Sequence, residues 1–362
     1  MTDTTEFTGA TRARSGTGTG GDGGGDGAVP RAITRARELV APALLDRIAV
    51  LGPEMSVLCG YQMGLCDAAG VPTGSCAGKL VRPALSLATA AALGARPEAA
   101  LPGAVAVELV HNFTLLHDDV MDGDRTRRHR PTAWVRFGVP LTVLAGDGLL
   151  GLAFEVLGTL PAPQSAAAAA DLARTLRLLC LGQSDDLTAA GRGAIGTDAC
   201  LRTLEAKTGA LMGWACRVGA ALVPGPADRQ EAFERFGSQL GLAFQIQDDL
   251  LGIWGLPADT GKPVLADLRA RKMTAPVVAA LASGTAPARR LAGLYARPGL
   301  LSEEDARLAA DLVEEAGGRD WALDAARRWH ARAWENLDAL RLPARGLADL
   351  RELTGFLSRC PA

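Results

Sequence analysis

Residues 115–132 read LLHDDVMDGDRTRRHRPT, an apolar helical run that carries two adjacent aspartates and then turns strongly basic. A second acidic pair, Asp248 and Asp249, lies in the apolar stretch FQIQDDLLGIWG at residues 244–255. Adjacent carboxylates among Leu, Val and Phe repel each other and lose hydration, so solvent, a basic group or a metal ion must compensate them. The two motifs therefore predict a cation-binding site.

The spacing of the first motif favours Mg²⁺ and a phosphate-bearing ligand. At about 100° per residue, Asp118 and Asp122 lie about 40° apart on one helix face, so both can reach one ion. Oxygen ligands without Cys or His favour Mg²⁺, which proteins usually share with substrate phosphates. Arginines that can fork onto phosphate oxygens follow at once. They are Arg125, Arg127, Arg128 and Arg130.

Composition limits the class of protein. The chain has 362 residues, 48% of them hydrophobic, which is ample for a large core. Its net charge of −2 provides no basic surface for nucleic acid and no polybasic membrane anchor. No stretch has the pattern of a signal peptide or a membrane span, and the seven scattered cysteines lack zinc spacing. We expect a cytoplasmic protein with reduced thiols, no membrane span and no nucleic-acid partner.

Residues 1–29 form a Gly-rich N-terminal segment that includes GTGTGGDGGGDG. Such a sequence buries too little apolar surface to order itself, so we expect a disordered tail. It is either a dispensable extension or a segment for docking or encapsulation, and the sequence leaves both open. Residues 30–362 are expected to form one domain.

From residue 31 onward, apolar residues recur at helical spacing and strand-type alternation is nearly absent, so the predicted fold is all-α. The expected helices are 31–50, 79–94, 102–122, 140–158, 165–190, 198–222, 228–254, 272–283, 302–316, 320–340 and 344–357. Two acidic helices that face each other across a bundle would place cations, and a bridging diphosphate, between them.

In this order the motifs resemble the trans-isoprenyl diphosphate synthases, the polyprenyl synthetase family. Residues 118–122, followed by Arg127-Arg128 and Pro131-Thr132, are similar to the family's first aspartate-rich motif. GKLVRP at residues 78–83 is similar to its upstream GKxxRP box. The similarity runs from about residue 70 to 280 and continues more weakly to the end. It implies an isoprenoid synthase helical bundle with a central active-site cavity, and a homodimer.

The resemblance also implies a role for each matching residue. Metal ions, expected to be three Mg²⁺ with Mn²⁺ able to substitute, are held by Asp118, Asp122 and Asp248. Isopentenyl diphosphate is bound by Lys79, Arg82, His111 and Arg128. The allylic diphosphate is bound by Arg127, Lys207, Lys262 and Lys272. Further expected site residues are Gln183, Asp186 and Asp249 for substrate, Asp119 for catalysis, and Thr208 and Gln245 for stabilising a carbocation.

The implied reaction is head-to-tail condensation of isopentenyl diphosphate with dimethylallyl, geranyl or farnesyl diphosphate. Residues four and five before Asp118 lie a little over one turn deeper on the same helix and would form the pocket floor. They are Thr114 and Phe113, one small and one aromatic residue, which resembles the short-chain pattern. Phe113 is expected to limit growth, with a C20 product favoured and C15 next.

Three positions depart from the family pattern. Gly252 stands where the second motif usually has a third aspartate, so metal binding there is expected to be weakened or reshaped. His129 and Leu265 each replace a usual glycine, which is expected to alter loop geometry. Neither His129 nor Leu265 removes a charged group.

Other interpretations stay open. Taken singly, each acidic pair could be a solvated helix end and each basic residue a surface charge; their joint order favours the site. A class I terpene cyclase shares the bundle and the ionisation chemistry but would not need Lys79 and Arg82. A non-catalytic partner subunit of another synthase is a third possibility, for which Gly252 is the hint.

Overall fold

The computed structural model describes residues 29–74, 78–189, 195–255 and 265–358. These residues form an all-α bundle, as the sequence predicts. In chain order the helices are α1 Arg31–Ile48, α2 Pro53–Met63, α3 Val81–Ala92, α4 Leu101–Asp122, α5 Ala133–Phe137, α6 Val139–Gly158, α7 Ala162–Ala189, α8 Thr197–Leu204, α9 Ala210–Ala221, α10 Ala227–Trp254, α11 Ala266–Arg269, α12 Ala275–Ala282, α13 Ala286–Tyr295, α14 Glu303–Glu315, α15 Gly318–Asp338 and α16 Ala348–Leu357.

Short elements connect some of these helices. Two-residue strands, β1 Thr126–Arg127 and β2 Arg130–Pro131, pair antiparallel directly after α4. Single 3₁₀ turns cover Ala49–Leu51 and Pro97–Ala100. A π-helical turn at Glu205–Gly209 joins α8 to α9. The hairpin and the π turn both lie at the candidate site described below.

The centre of the bundle is α10, which packs along α9 on one side and α15 on the other. Glycines allow the close approach of α9 and α10, since a Cβ at Gly237 would collide with the backbone oxygen of Met212. The core around this contact contains fully buried Trp214, Phe233 and Phe236. Truncating any one of these rings to Ala would cost about 3–5 kcal/mol. The pairs α4 with α6 and α3 with α9 complete the main core.

Four helices of the structure, α2, α5, α11 and α13, were not predicted, and α5 and α11 are only five and four residues long. Helix α2 buries residues on several sides, so its sequence PEMSVLCGYQM lacks a distinct apolar stripe. Helix α13 is a short APARRLAGLY segment. Its start is nevertheless encoded, because Thr285 accepts a hydrogen bond from the Ala288 amide and Pro287 follows in the first turn.

Several predicted boundaries were also wrong. The expected helix 198–222 is divided by the π turn, which inserts one extra residue into the helical path. The expected helix at 272 begins at Ala275, after an extended N-cap residue, Thr274. The expected helix at 79 begins at Val81, because Leu80 has a left-handed backbone with φ of 47°.

Two helical segments, Pro97–Asp122 and Val139–Gly158, are long and apolar enough to span a membrane by length and composition. Core helices of a globular bundle pass the same test. Most of the first segment is buried against its neighbours, whereas less than half of α6 is. The uncovered face of α6 includes the apolar side chain of Leu144 together with Asp147 and Glu155.

Candidate active site

The first acidic motif lies in the last turn of α4, which ends at Gly123 with φ of 68°. Asp118 and Asp122 are partly exposed on one face. Chiefly through burial, the pKa of Asp118 is raised to about 6; Asp122 and Asp119 contribute to the rise, whereas Lys207 and Arg127 oppose it. A cation bound nearby would stabilise the ionised form of Asp118.

Asp119 has a different environment, because its side chain is turned into the protein and is 1% exposed. Its Oδ1 accepts hydrogen bonds from Arg127 Nε at 2.8 Å and Arg127 Nη2 at 2.7 Å. Burial lowers the Arg127 pKa, but the contact with Asp119 outweighs it and raises the pKa. Asp119 therefore positions Arg127, and we assign it that role within the catalytic set.

The hairpin holds the basic cluster in a fixed turn. Thr132 Oγ1 and Trp134 Nε1 both donate to the Asp124 carbonyl at 2.8 Å. Tyr61 Oη donates to the Pro131 carbonyl at 2.7 Å, and Arg130 lies 4.1 Å from the centre of the Tyr61 ring. The arginines thus extend from a braced loop rather than from a free one.

The two turn residues of the hairpin are Arg128 and His129, with φ of 51° and 60°. A two-residue hairpin of this kind requires a left-handed backbone at both positions, which explains why glycine suits residue 129. Leu265 has φ of 61° and occupies the other expected glycine position. His129 and Leu265 adopt this left-handed backbone without being glycine, at about 1–2 kcal/mol of backbone strain each.

The second acidic motif lies near the end of α10. Asp249 is buried, and its Oδ2 accepts from the Ala275 amide at 2.9 Å while its Oδ1 accepts from Gln245 Nε2 at 3.1 Å. Burial raises the Asp249 pKa to about 7. Thr208 Oγ1, from the π turn, donates to Gln245 Oε1 at 2.8 Å. Because both Asp249 oxygens are engaged internally, we assign this residue to positioning Gln245 rather than to direct substrate contact.

Two lysines bring acidic groups from separate helices together. Lys272 Nζ lies 3.9 Å from Asp122 Oδ2 and 3.8 Å from Asp267 Oδ1. Burial lowers the Lys272 pKa, but Asp267 and Asp122 raise it by more. Lys207 Nζ, in the π turn, lies 2.6 Å from Asp186 Oδ2 on α7. Lys207 also acts electrostatically on Asp118, and Asp186 on Lys272, so predicted residues of α4, α7, the π turn and the α11–α12 connection lie near one another.

A second group of basic side chains lies beside the start of α3. Arg82 Nη1 lies 3.3 Å from His111 Nε2, and the Arg128 guanidinium lies against the Gly78 backbone. Burial lowers the His111 pKa well below its usual value, and Arg82 and Arg128 lower it further. His111 therefore stays neutral between the arginines. Lys79 completes this group, with its Nζ 5.2 Å from the centre of the Phe356 ring on α16.

Two residues of this region were missed by the sequence analysis. Glu108 is buried on α4, three residues before His111, and accepts a hydrogen bond from Asn112 Nδ2 at 3.0 Å. Burial raises its pKa to about 7, with Arg82 and Arg128 opposing that rise. A lone Glu on an apolar face one turn from His111 was the available signal. Phe356 had none, because its contact with Lys79 spans nearly the whole chain.

Gln183 on α7 has both polar side-chain atoms buried, and neither has a hydrogen-bond partner among the described residues. A buried amide without partners is costly, which favours a ligand that supplies them. Lys262 lies outside the described residues. Phe113 and Thr114 lie on α4 as expected; the Phe113 ring packs edge-on against His117, with ring centres 4.8 Å apart.

The acidic side chains of the site suit Mg²⁺. Among the described residues, no three His, Cys, Asp or Glu side chains form a ready-made cage. Mg²⁺ does not need one, since it keeps several waters and is bound through one or two carboxylates together with substrate phosphates. Asp118, with its raised pKa, and Asp122 on the same face fit that requirement.

An all-α bundle with two acidic helices and these basic clusters is the isoprenoid synthase fold. A family profile described as Polyprenyl synthetase matches residues 72–312. The (2E,6E)-farnesyl diphosphate synthase of Mycobacterium bovis is 43% identical over 325 residues, covering 89% of this chain and 90% of that protein. The geranylgeranyl diphosphate synthase of Mycobacterium tuberculosis is 43% identical over 290 residues, covering 79% and 82%.

A solved structure agrees with these relatives. The crystal structure of a polyprenyl synthetase from Streptomyces coelicolor A3(2) has a TM-score of 0.85 and 43% identity, and the match covers 91% of this chain and 99% of that one. The chain belongs to the polyprenyl synthetase family, which confirms the resemblance and the predicted fold. It is an enzyme of the prenyltransferase type, and its relatives make it a short-chain trans-prenyltransferase.

Proposed function

We propose that this enzyme condenses isopentenyl diphosphate with an allylic diphosphate, in a Mg²⁺-dependent head-to-tail reaction that yields mainly a C20 trans-prenyl diphosphate. The observation that carries the proposal is the Lys272 ammonium, which lies between Asp122 of the first motif and Asp267 beyond the second. Acidic and basic groups from α4, α11 and the α11–α12 connection meet there, as binding of a metal diphosphate requires.

Asp118, Asp122 and Asp248 would hold the metal ions. When bound, Mg²⁺ neutralises the charge that develops on the departing diphosphate. Three basic side chains of the protein would stabilise the same negative charge. Arg127 is held by Asp119, and Lys207 and Lys272 are held by their acidic neighbours. Lys262 is proposed to join them. Because these cations are already oriented, little reorganisation is needed when the C–O bond breaks.

The carbocation left behind needs an environment that stabilises positive charge and excludes water. Thr208 donates a hydrogen bond to Gln245, and Gln245 donates one to Asp249, which also accepts from the Ala275 amide. These hydrogen bonds fix the dipoles of Thr208 and Gln245. Their oxygen atoms are the groups proposed to face the cation. Asp249 keeps the amide from rotating.

Isopentenyl diphosphate is proposed to bind at Lys79, Arg82, His111 and Arg128. Arg82 and Arg128 present forked donors suited to a diphosphate, and the neutral His111 beside Arg82 offers a further polar contact. From this position the double bond attacks the allylic cation. The released diphosphate takes the proton whose loss restores the alkene, so no protein base is required.

Primer use and product length can be measured together. Purified enzyme is incubated with Mg²⁺, isopentenyl diphosphate and, separately, dimethylallyl, geranyl or farnesyl diphosphate, and the dephosphorylated products are weighed by mass spectrometry. We expect extension of the primers with C20 prevailing. Termination at C15 would reject the C20 assignment, and cyclic hydrocarbons would favour the cyclase.

Phe113→Ala is expected to lengthen the product. The ring of Phe113 packs against His117, whose Nε2 donates to the Val143 carbonyl at 3.1 Å. Because His117 is held in place, the Phe113 ring cannot easily move aside for a longer product. Removing the ring opens the pocket toward α6. The measurement is the chain-length distribution, with Leu115→Ala as the control because residue 115 lies about 200° around α4 from residue 113. An unchanged distribution in Phe113→Ala would reject this floor.

We also propose a homodimer through the uncovered face of α6. Leu144 is 57% exposed and Val139 42% exposed there, and Leu181 of α7 is 51% exposed. Exposed large apolar side chains on neighbouring helices are a feature of interfaces between subunits. The second copy is the proposed occupant because oligomers of soluble proteins are most often twofold homodimers.

Leu144→Glu is expected to shift the enzyme from dimer to monomer, since it places a charge in the middle of that face. The mass in solution, measured by size exclusion with light scattering, reports the change. Leu300→Glu is the matched control, because Leu300 is 73% exposed in the loop before α14. A wild-type enzyme that is monomeric at micromolar concentration would exclude the dimer. A cytoplasmic location and a docking role for the N-terminal segment remain further proposals.

A further inference from the structure

The second acidic motif of this chain ends in glycine at position 252, one helical turn after Asp248 on the same face of α10. Its other carboxylate, Asp249, is turned inward to Gln245 and the Ala275 amide. Asp248, which is exposed, is the other carboxylate of the motif and the one proposed to reach a metal ion. A divalent ion bound beside Asp248 would take its remaining ligands from water and substrate phosphates.

The room beside Gly252 is taken by a carboxylate from another element. A Cβ built at residue 252 would lie 2.5 Å from Asp267 Oδ2, closer than Cβ atoms approach other atoms in proteins. Asp267 Oδ2 thus lies where a side chain at residue 252 would begin. Glycine at residue 252 and aspartate at residue 267 are a matched pair, because a larger residue at 252 would displace the carboxylate.

Asp267 is also held in place from its own side. It lies in the first turn of α11, whose N-cap residue Leu265 is 8% exposed, and Leu268 in the same helix is fully buried. Its Oδ1 lies 3.8 Å from Lys272 Nζ, the ammonium that also lies 3.9 Å from Asp122 Oδ2. The Asp267 side chain is 17% exposed, so it faces a confined space shared with the first motif.

We infer that Asp267 supplies the third acidic group of the second motif, positioning the hydration shell of a metal ion beside Asp248. The inference rests on the proposed function, because it takes the metal-diphosphate site as given. Asp267 acts through ordered water and through its placement against Gly252, and it is a positioning residue. Loss of such an outer-shell carboxylate typically weakens metal binding by about 10–100-fold.

The test uses inorganic diphosphate and Mg²⁺ without any prenyl substrate. The thermal stabilisation of the full-length enzyme is measured against Mg²⁺ concentration at saturating diphosphate, and against diphosphate at saturating Mg²⁺. For Asp267→Asn we expect the Mg²⁺ midpoint to rise about ten-fold. The diphosphate midpoint at saturating Mg²⁺ should stay near that of the wild type. Asp311→Asn, an exposed acid on α14, serves as the control.

The pairing of residues 252 and 267 gives a second, reciprocal test. Gly252→Asp alone should lower Tm, because the new side chain meets Asp267. Gly252→Asp combined with Asp267→Ala should recover most of the Mg²⁺ affinity that Asp267→Ala loses. Recovery would show that the carboxylate at this point in space matters, whichever element supplies it.

Each contrary outcome has a separate meaning. If wild-type enzyme shows no Mg²⁺-dependent diphosphate stabilisation, the proposed function itself fails. If the wild type responds but Asp267→Asn has the same Mg²⁺ midpoint, the inference is wrong. If Asp267→Asn changes the diphosphate midpoint instead, Asp267 acts only through Lys272, and the inference is again wrong.

Discussion

Asp118→Ala is expected to reduce turnover by about 10²–10³-fold or more while leaving the bundle folded. Asp118 is proposed to hold a metal ion, so its loss removes charge stabilisation that is needed only as diphosphate departs. Its carboxylate forms no structural ion pair among the described contacts, and burial raises its pKa to about 6. Removing a desolvated charge should leave Tm of the metal-free protein equal or slightly higher.

Activity and metal-free Tm must be measured on the same preparation. Asp311→Ala is the matched control, because Asp311 is exposed on α14 and has no proposed role in the site. Full activity in Asp118→Ala would refute the metal assignment. A large fall in Tm would show that Asp118 supports the fold instead.

Arg127→Leu is expected to affect both stability and activity. It leaves Asp119 buried, with Oδ2 already lacking a hydrogen-bond partner among the described residues and Oδ1 losing two. Breaking one side of a buried ion pair typically costs about 3–5 kcal/mol. Turnover should fall as well, because Arg127 is proposed to bind the allylic diphosphate. Denaturant unfolding and steady-state kinetics report the two effects separately.

A double-mutant cycle separates the pair from the individual side chains. Asp119→Leu with Arg127→Leu should be more stable than the sum of the single changes predicts, because no buried charge is left alone. Arg125→Leu is the control, since Arg125 is exposed and stacks on Trp134. Additive losses across the cycle would show that Asp119 and Arg127 do not depend on each other.

Periodicity and local motif spacing were enough to predict the all-α fold and the face that Asp118 and Asp122 share. Both properties depend on helical geometry within one segment. The basic residues after α4 were also predictable, because the hairpin that presents them is local. Helix α2 was missed for the opposite reason: its burial on several sides is determined by neighbours distant in the sequence.

The orientation of each second aspartate could not be predicted in the same way. Asp119 and Asp249 stand next to proposed metal ligands, but Arg127 and the Ala275 amide turn them inward. The pairing of Gly252 with Asp267, and of Lys79 with Phe356, depends on how distant helices pack. Sequence reasoning named most of the candidate residues, whereas packing decides which of them face the substrate.

The most direct test of the central claim is the ratio of diphosphate released to isopentenyl diphosphate consumed, with and without Mg²⁺. The account predicts one diphosphate per isopentenyl unit incorporated, no release from the allylic diphosphate alone beyond slow hydrolysis, and no reaction after removal of divalent cations. Rapid diphosphate release without isopentenyl diphosphate, or a folded enzyme that consumes neither substrate, would contradict it.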